Sequence, residues 1–210
     1  MYTLYFAPGA CSLAPHIMLN ECHAPYTLDK VNLKTKETKS GLNYLQINPK
    51  GGVPALRLPD GEVLTECAVI LQALAYEFPE KKLLPLAGTK EHIRCLEWLN
   101  TISTELHKGF TPLFAAHKWI ENAEGLSQMK NSTRELLKQK LKLVDEHFAD
   151  ERAFLMGREI TVADFYLFNV LNWGQFVEVK IEEFPFLKRF HQQMSKRPSV
   201  EKSFQAEGLQ

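Results

Sequence analysis

Three short constellations in this 210-residue chain carry residue types able to do chemistry. The first is Cys11-Ser12, just after the turn signal Pro8-Gly9 and at the head of a helical pattern. Unpaired N–H groups and the dipole at a helix N-terminus stabilise an anion, so a thiol there is expected to ionise below its reference of ~8.5. Ser12 would cap the same helix or donate a hydrogen bond to sulfur. The run reads Cys-Ser-Leu-Ala rather than C-x-x-C, so no resolving thiol adjoins Cys11 and a second thiol would have to come from a ligand. Position alone fits a small half-buried packing residue equally well. The second constellation pairs Val53-Pro54, which begins a strand after Gly51-Gly52, with Glu66-Cys67, which opens a later helix. A cis proline would turn the backbone edge of Val53 outward to pair with an extended peptide, with an ordinary trans proline as the alternative. The helix start at Glu66-Cys67 suits a ligand carboxylate, although Glu66 also reads simply as a charge set favourably against the dipole. The third is Asn100, Thr104 and His107, spaced i, i+4 and i+7 so that an α-helix puts them on one face. There His107 can hydrogen-bond a thiolate and keep it ionised, or serve as an ordinary surface or capping histidine.

The elements that must position these residues follow from periodicity. Residues 2–6 form a β-rich run, Leu13 to Glu21 a helix that tolerates Pro15 in its first turn, and 26–33 a second strand. A short helical segment spans 42–47. The runs VPALRL and EVLT flank Asp60-Gly61, a hairpin signal, and 66–78 is helical. This order, βαβ, short helix, ββ, α, makes a small mixed sheet with helices on it. A linker follows at 80–87, inside the stretch Pro79 to Gly88 with its two prolines and terminal glycine, and everything after it reads as helix. One apolar stripe comprises Ile93, Leu96, Leu99, Ile102, Leu106 and Phe110, and another Leu136, Leu137, Leu141, Val144 and Phe148. Thr161 and Asp164 fit a capping box, with Ile160 and Phe165 as its hydrophobic staple. The last helix is expected over 184–194, ending before Arg197-Pro198.

Composition narrows the function classes. The chain is 45% hydrophobic and 24% charged, with 25 Lys plus Arg against 25 Asp plus Glu, so it is globular and offers no net field to nucleic acid. No signal-peptide pattern or membrane-spanning run is present, which points to the cytoplasm. The four cysteines show no zinc spacing, and the remaining histidines no ligand spacing, so no metal is assigned.

Taken together, LYFAPGACSLAPHI, NPKGGVPALRLPDGEVLTE, EWLNTISTELHKGFTPLF and GREITVADFYLF resemble the cytosolic glutathione transferases, the bacterial beta class most of all, over essentially the whole chain. The resemblance implies a glutathione transferase fold: an α+β thioredoxin-like, glutathione-binding domain over 1–79, the linker at 80–87, and an all-α domain over 88–210 carrying the second-substrate pocket, usually in a homodimer. It implies that Cys11 faces the glutathione sulfur, that Val53 pairs with the cysteinyl part of the tripeptide beside a cis Pro54, and that Glu66 and Cys67 hold the γ-glutamyl end. Cys67 stands where many relatives have serine, a stronger hydrogen-bond donor. Lys36 matches a basic residue for the glycyl carboxylate. Asn100, Thr104, Glu105, Leu106 and His107 approach glutathione, some across the dimer interface, with Lys108 nearby. Phe110 and Trp173 would wall the apolar second-substrate pocket, core packing being the plainer reading of Trp173. Phe6 occupies a position where some beta-class relatives have tyrosine, which moves the expected chemistry onto Cys11, Ser12 and His107. The activity implied is addition of the glutathione thiolate to electrophilic, largely apolar small molecules, with thiol transfer through Cys11 as a second capacity. A glutathione-binding interaction or storage protein, and a glutathione-dependent dehalogenase or isomerase, are the alternatives.

Overall fold

The computed structural model describes residues 1–209. Strands β1 (Tyr2–Phe6), β2 (Tyr26–Asn32), β3 (Glu37–Thr38), β4 (Ala55–Arg57) and β5 (Val63–Thr65) make one sheet in the order β3-β2-β1-β4-β5. β1 and β2 are parallel, so their connection must cross over, and it does so through helix α1 (Leu13–Glu21). The other neighbours are antiparallel; Leu4 of β1 thus faces Leu28 across the parallel pair and Leu56 across an antiparallel one. The hairpin expected at Asp60-Gly61 joins β4 to β5: Gly61 has φ +98°, and the Leu58 N–H donates to the Glu62 carbonyl at 2.8 Å. Side chains of β1 alternate as the period of two demands. Tyr2, Leu4 and Phe6 enter the main core with α1 and α2 (Cys67–Glu77), while Tyr5 joins a small cluster with Val31, Tyr44 and Ala55 on the other face.

Helices α3 (Lys90–Thr101), α4 (Lys108–Ala115), α5 (Ala123–His147), α6 (Val162–Leu171), α7 (Pro185–Ser195) and α8 (Pro198–Glu207) build the rest. The segment before them is no free hinge: Leu83 is buried and its carbonyl accepts the Val162 N–H at 2.8 Å. The main core runs unbroken from Tyr2 to Val200, so sheet and helices share it. At its centre every residue of α6 is buried, which explains an apolar sequence without a polar face. The capping box at Thr161 and Asp164 is present, and Ile160 and Phe165 both join the core. Asp164 accepts the Thr161 N–H at 2.7 Å and the Leu155 N–H at 2.8 Å. Burial pushes its carboxyl up to about 6 against the pull of those bonds.

Three sequence expectations require correction. Pro198 is the first residue of α8 rather than a stop, because a proline at the first helical position forfeits no hydrogen bond. Ile93 and Leu136 are exposed at 60% and 56%. The buried rows are instead His92, Cys95 and Leu99 in α3 and Leu137, Leu141 and Val144 in α5. A step of one residue turns an α-helix by about 100°, enough to carry Ile93 or Leu136 off the core face.

Candidate active site

A cavity of about 270 Å³ opens where the β1–α1 turn, the loop before β4, the start of α2 and the π-helical turn Ile102–His107 meet. Cys11, Val53, Pro54, Glu66, Cys67, His107 and Lys108 all border it, although they are scattered over nearly a hundred residues of chain. The Val53–Pro54 bond is cis. Glu66 is forced to φ +69°, a region that non-glycine residues rarely occupy, at the residue preceding α2. Its carboxylate accepts from the Lys50 ammonium at 2.6 Å, and that bond holds it below the ordinary range.

Cys11 departs from the simple expectation for a helix N-terminus. It lies in the turn one residue before the N-cap Ser12, and its thiol donates to the Val53 carbonyl at 3.0 Å. Burial pushes the thiol up to about 12 and Glu66 adds to that push, outweighing the nearby backbone N–H groups and Lys108. The resting side chain is therefore a protonated donor. Ser12 does not reach the cavity: it is fully buried, and its hydroxyl closes the β1–α1 turn by accepting the Ala7 N–H and donating to the Ala7 carbonyl, both at 3.2 Å.

His107 is positioned by a partner that sequence reasoning missed. Its Nδ1 lies 2.6 Å from the Tyr166 hydroxyl, and its ring meets Trp173 edge-on at 4.8 Å. Burial, with a contribution from Lys108, drops the imidazole to about 4, so it is neutral near pH 7. Burial likewise pushes the Tyr166 phenol far above its ordinary value, with the Ser103 hydroxyl opposing that push. Both rings are uncharged, and the phenol supplies the proton when Nδ1 accepts, which leaves the hydrogen of the imidazole on Nε2. Tyr166 had one readable signal: a tyrosine in a helix with no polar face must bury its hydroxyl and so needs a partner.

The polar ladder expected on the third helix is broken. Residues 102–107 form a π-helical turn, whose wider spacing rotates the residues after it relative to those before. His107, Ser103 and Lys108 turn into the cavity. Asn100, Thr104 and Glu105 remain exposed outside it, Thr104 bonded to the Asn100 carbonyl and Glu105 paired with Lys140 at 2.8 Å. Leu106 is core. Lys36 does not border the cavity either; its ammonium donates to the Gly51 carbonyl at 2.8 Å, and the lysines at the rim are Lys50 and Lys108. Phe110 and Trp173 are buried behind His107, with the Trp173 indole donating to the Gly9 carbonyl at 2.8 Å. The exposed aromatic beside them is Phe114, stacked on Phe110 at 6.4 Å. Asn48, missed in the sequence, folds the loop before β4 by donating to the Gly52 carbonyl at 2.7 Å and accepting from the Lys50 N–H.

Comparison with known proteins agrees across the whole chain. The family model for the glutathione S-transferase N-terminal domain matches residues 9–76, and that for the C-terminal domain residues 101–198. Glutathione S-transferase GstA of Escherichia coli is 42% identical over 206 residues, which cover 98% of each chain. A sphingomonad glutathione S-transferase complexed with glutathione superposes with a TM-score of 0.91 at 37% identity, covering 99% of this chain and 100% of that one. The bacterial beta-class glutathione S-transferase of Sphingomonas chungbukensis does so at 38% identity with the same score and coverage.

Proposed function

This chain belongs to the glutathione transferases, close to the bacterial beta class, with their thioredoxin-like amino-terminal and all-helical carboxy-terminal domains, and from that premise we propose that it adds the glutathione thiolate to electrophilic, largely apolar small molecules. The observation that carries this reading is the convergence of Val53, Glu66, Cys11 and His107 on one cavity. An extended tripeptide lies with its cysteinyl backbone along Val53 and its γ-glutamyl end at the start of α2, where helix N–H groups meet the carboxylate and Glu66 meets the ammonium. Its sulfur then points at His107 and Cys11.

The reaction is nucleophilic attack by bound sulfur, so its rate depends on thiol ionisation and on holding the electrophile close. The His107 Nε2–H is the donor that stabilises the thiolate. Tyr166 keeps that hydrogen on Nε2 and out of exchange between the two nitrogens. Lys108 adds positive potential from the rim, and the protonated Cys11 thiol is a second donor once it leaves Val53. Phe114, exposed beside Phe110 and Trp173, offers an apolar surface for the electrophile. Cys11 also supports a slower thiol transfer, in which it attacks a small disulfide after losing its proton; its raised pKa makes that step accelerate with alkalinity. The chain acts as a homodimer in this reading, supported by Val69 and Tyr76, exposed seven residues apart on one face of α2. Product analysis with purified protein, glutathione and an aromatic halide tests the function. A released conjugate bears it out, regenerated glutathione favours an isomerase, and binding without turnover favours a storage role. Light scattering tests the dimer.

A further inference from the structure

The sequence offers Cys11 no neighbouring thiol, yet the folded chain does. Among the described residues Cys22, Cys67 and Cys95 are buried and Cys11 half-buried, but only Cys11 and Cys67, 56 residues apart, border the cavity. The Cys67 thiol donates to the Cys11 carbonyl oxygen at 3.4 Å, while the Cys11 thiol donates to Val53. Each thiol donates one weak S–H hydrogen bond, which costs little to break. We propose that Cys67 is the resolving thiol of Cys11, making this active site a dithiol/disulfide centre formed across the gap between the β1–α1 turn and the first residue of α2.

The inference rests on the reading that Cys11 exchanges with small disulfides, and the chemistry balances with glutathione disulfide as oxidant. In the first step Cys11 loses its proton and attacks one sulfur of the oxidant. The oxidant's S–S bond breaks, a Cys11–glutathione disulfide forms, and one glutathione leaves and takes up the proton. In the second, Cys67 attacks the Cys11 sulfur, the Cys11–Cys67 bond forms, and the second glutathione departs with the proton of Cys67. Two electrons have passed from the protein dithiol to one glutathione disulfide, giving two glutathiones; two further glutathiones reverse the sequence. Cys67 opens a helix, but burial, with Glu66 adding to it, holds its thiol well above the ordinary range, so the second step, like the first, accelerates with alkalinity. An attacking sulfur already against its target residue also acts at a high effective concentration compared with free thiol.

The test treats full-length wild type, Cys67→Ser, Cys67→Ala and Cys11→Ser with glutathione disulfide, quenches with an alkylating agent, and reads intact mass and a non-reducing peptide map. Expected are a loss of two hydrogens in wild type with the Cys11 and Cys67 peptides cross-linked, a retained glutathionyl group on Cys11 in both Cys67 variants, and neither product in Cys11→Ser. A glutathionyl group retained on wild-type Cys11 to the same extent as in the Cys67 variants overturns the resolving role while leaving Cys11 exchange intact. Absence of adduct and bridge in all four proteins overturns the exchange reading itself. Agreement between the serine and alanine variants separates loss of the thiol from damage to the fold.

Discussion

Removing the His107 side chain tests whether a neutral imidazole, rather than an imidazolium, activates the bound thiol. The ring is held to about 4 mainly by burial, so at pH 7 it contributes a hydrogen bond and no charge. A hydrogen bond to a charged partner contributes about 1.5–3 kcal/mol. At 1.36 kcal/mol per unit, His107→Ala should raise the pKa of bound glutathione by about 1–2 units. Below that pKa, kcat/KM should fall by about 10- to 150-fold. His107→Gln keeps an N–H donor and should recover most of the loss. Tyr166→Phe removes the phenol 2.6 Å from Nδ1 and should produce a smaller rise of about 1 unit or less, in keeping with a neutral hydrogen bond of about 0.5–1.5 kcal/mol. In the Gln background Tyr166→Phe should have no further effect, since no ring then remains to orient. The assay is the ultraviolet thiolate absorbance of bound glutathione titrated against pH, with the pH dependence of kcat/KM for an aromatic halide alongside. A thiol pKa unchanged in His107→Ala would refute the contact. A wild-type acid limb near 6.5 that disappears in the same variant would refute the neutral imidazole.

Other expectations concern stability and the remaining site residues. His107 and Asp164 oppose each other on acidification. An imidazole lowered to about 4 leaves the unfolded chain binding the extra proton first, so stability is lost as pH falls from about 6.5 to 4, by up to roughly 3 kcal/mol. A carboxyl raised to about 6 makes the folded chain bind first, so it adds stability as pH falls from about 6 to 4, by a similar amount. Urea unfolding should therefore show His107→Gln gaining stability relative to wild type on going from pH 7 to 4.5, and a constant difference would contradict the assignment. Asp164→Ala orphans the Thr161 and Leu155 N–H groups inside the core and should cost about 3–5 kcal/mol in the same assay, well beyond a surface substitution. Cys11→Ala should abolish thiol transfer yet leave conjugation within about tenfold, because it removes one neutral donor; loss of both activities would make the thiol essential to conjugation. Glu66→Gln should raise KM for glutathione by no more than about fivefold with kcat unchanged, since the carboxylate is 65% exposed and paired with Lys50; a fall in kcat would move Glu66 into the chemical step.

Local physics made much of this protein legible in its sequence. The Asp60-Gly61 hairpin, the alternation of β1, the capping box at Thr161 and the position of Cys11 after a strand each depend on neighbouring residues alone, so their residue types announce them. The amino-terminal strands and helices were readable for the same reason, and so was the family, whose motifs recur in order along the chain. What the sequence left undecided depends on contacts between distant segments or on a change of helical period. Periodicity at 3.6 residues per turn put Asn100 and Thr104 beside His107, but the π-helical turn, which packs against α5 and α6, turns His107 inward and leaves the other two in solvent. Tyr166 became the partner of His107, Lys50 that of Glu66, and Cys67 the neighbour of Cys11 only because the central helix, the loop before β4 and the start of α2 converge on one cavity. The ionisation of Cys11 shows the division most plainly. Sequence position supplied the N–H groups that favour a thiolate, but the sign of its pKa shift was decided by burial, which is a property of the tertiary structure because desolvation depends on everything that surrounds the sulfur.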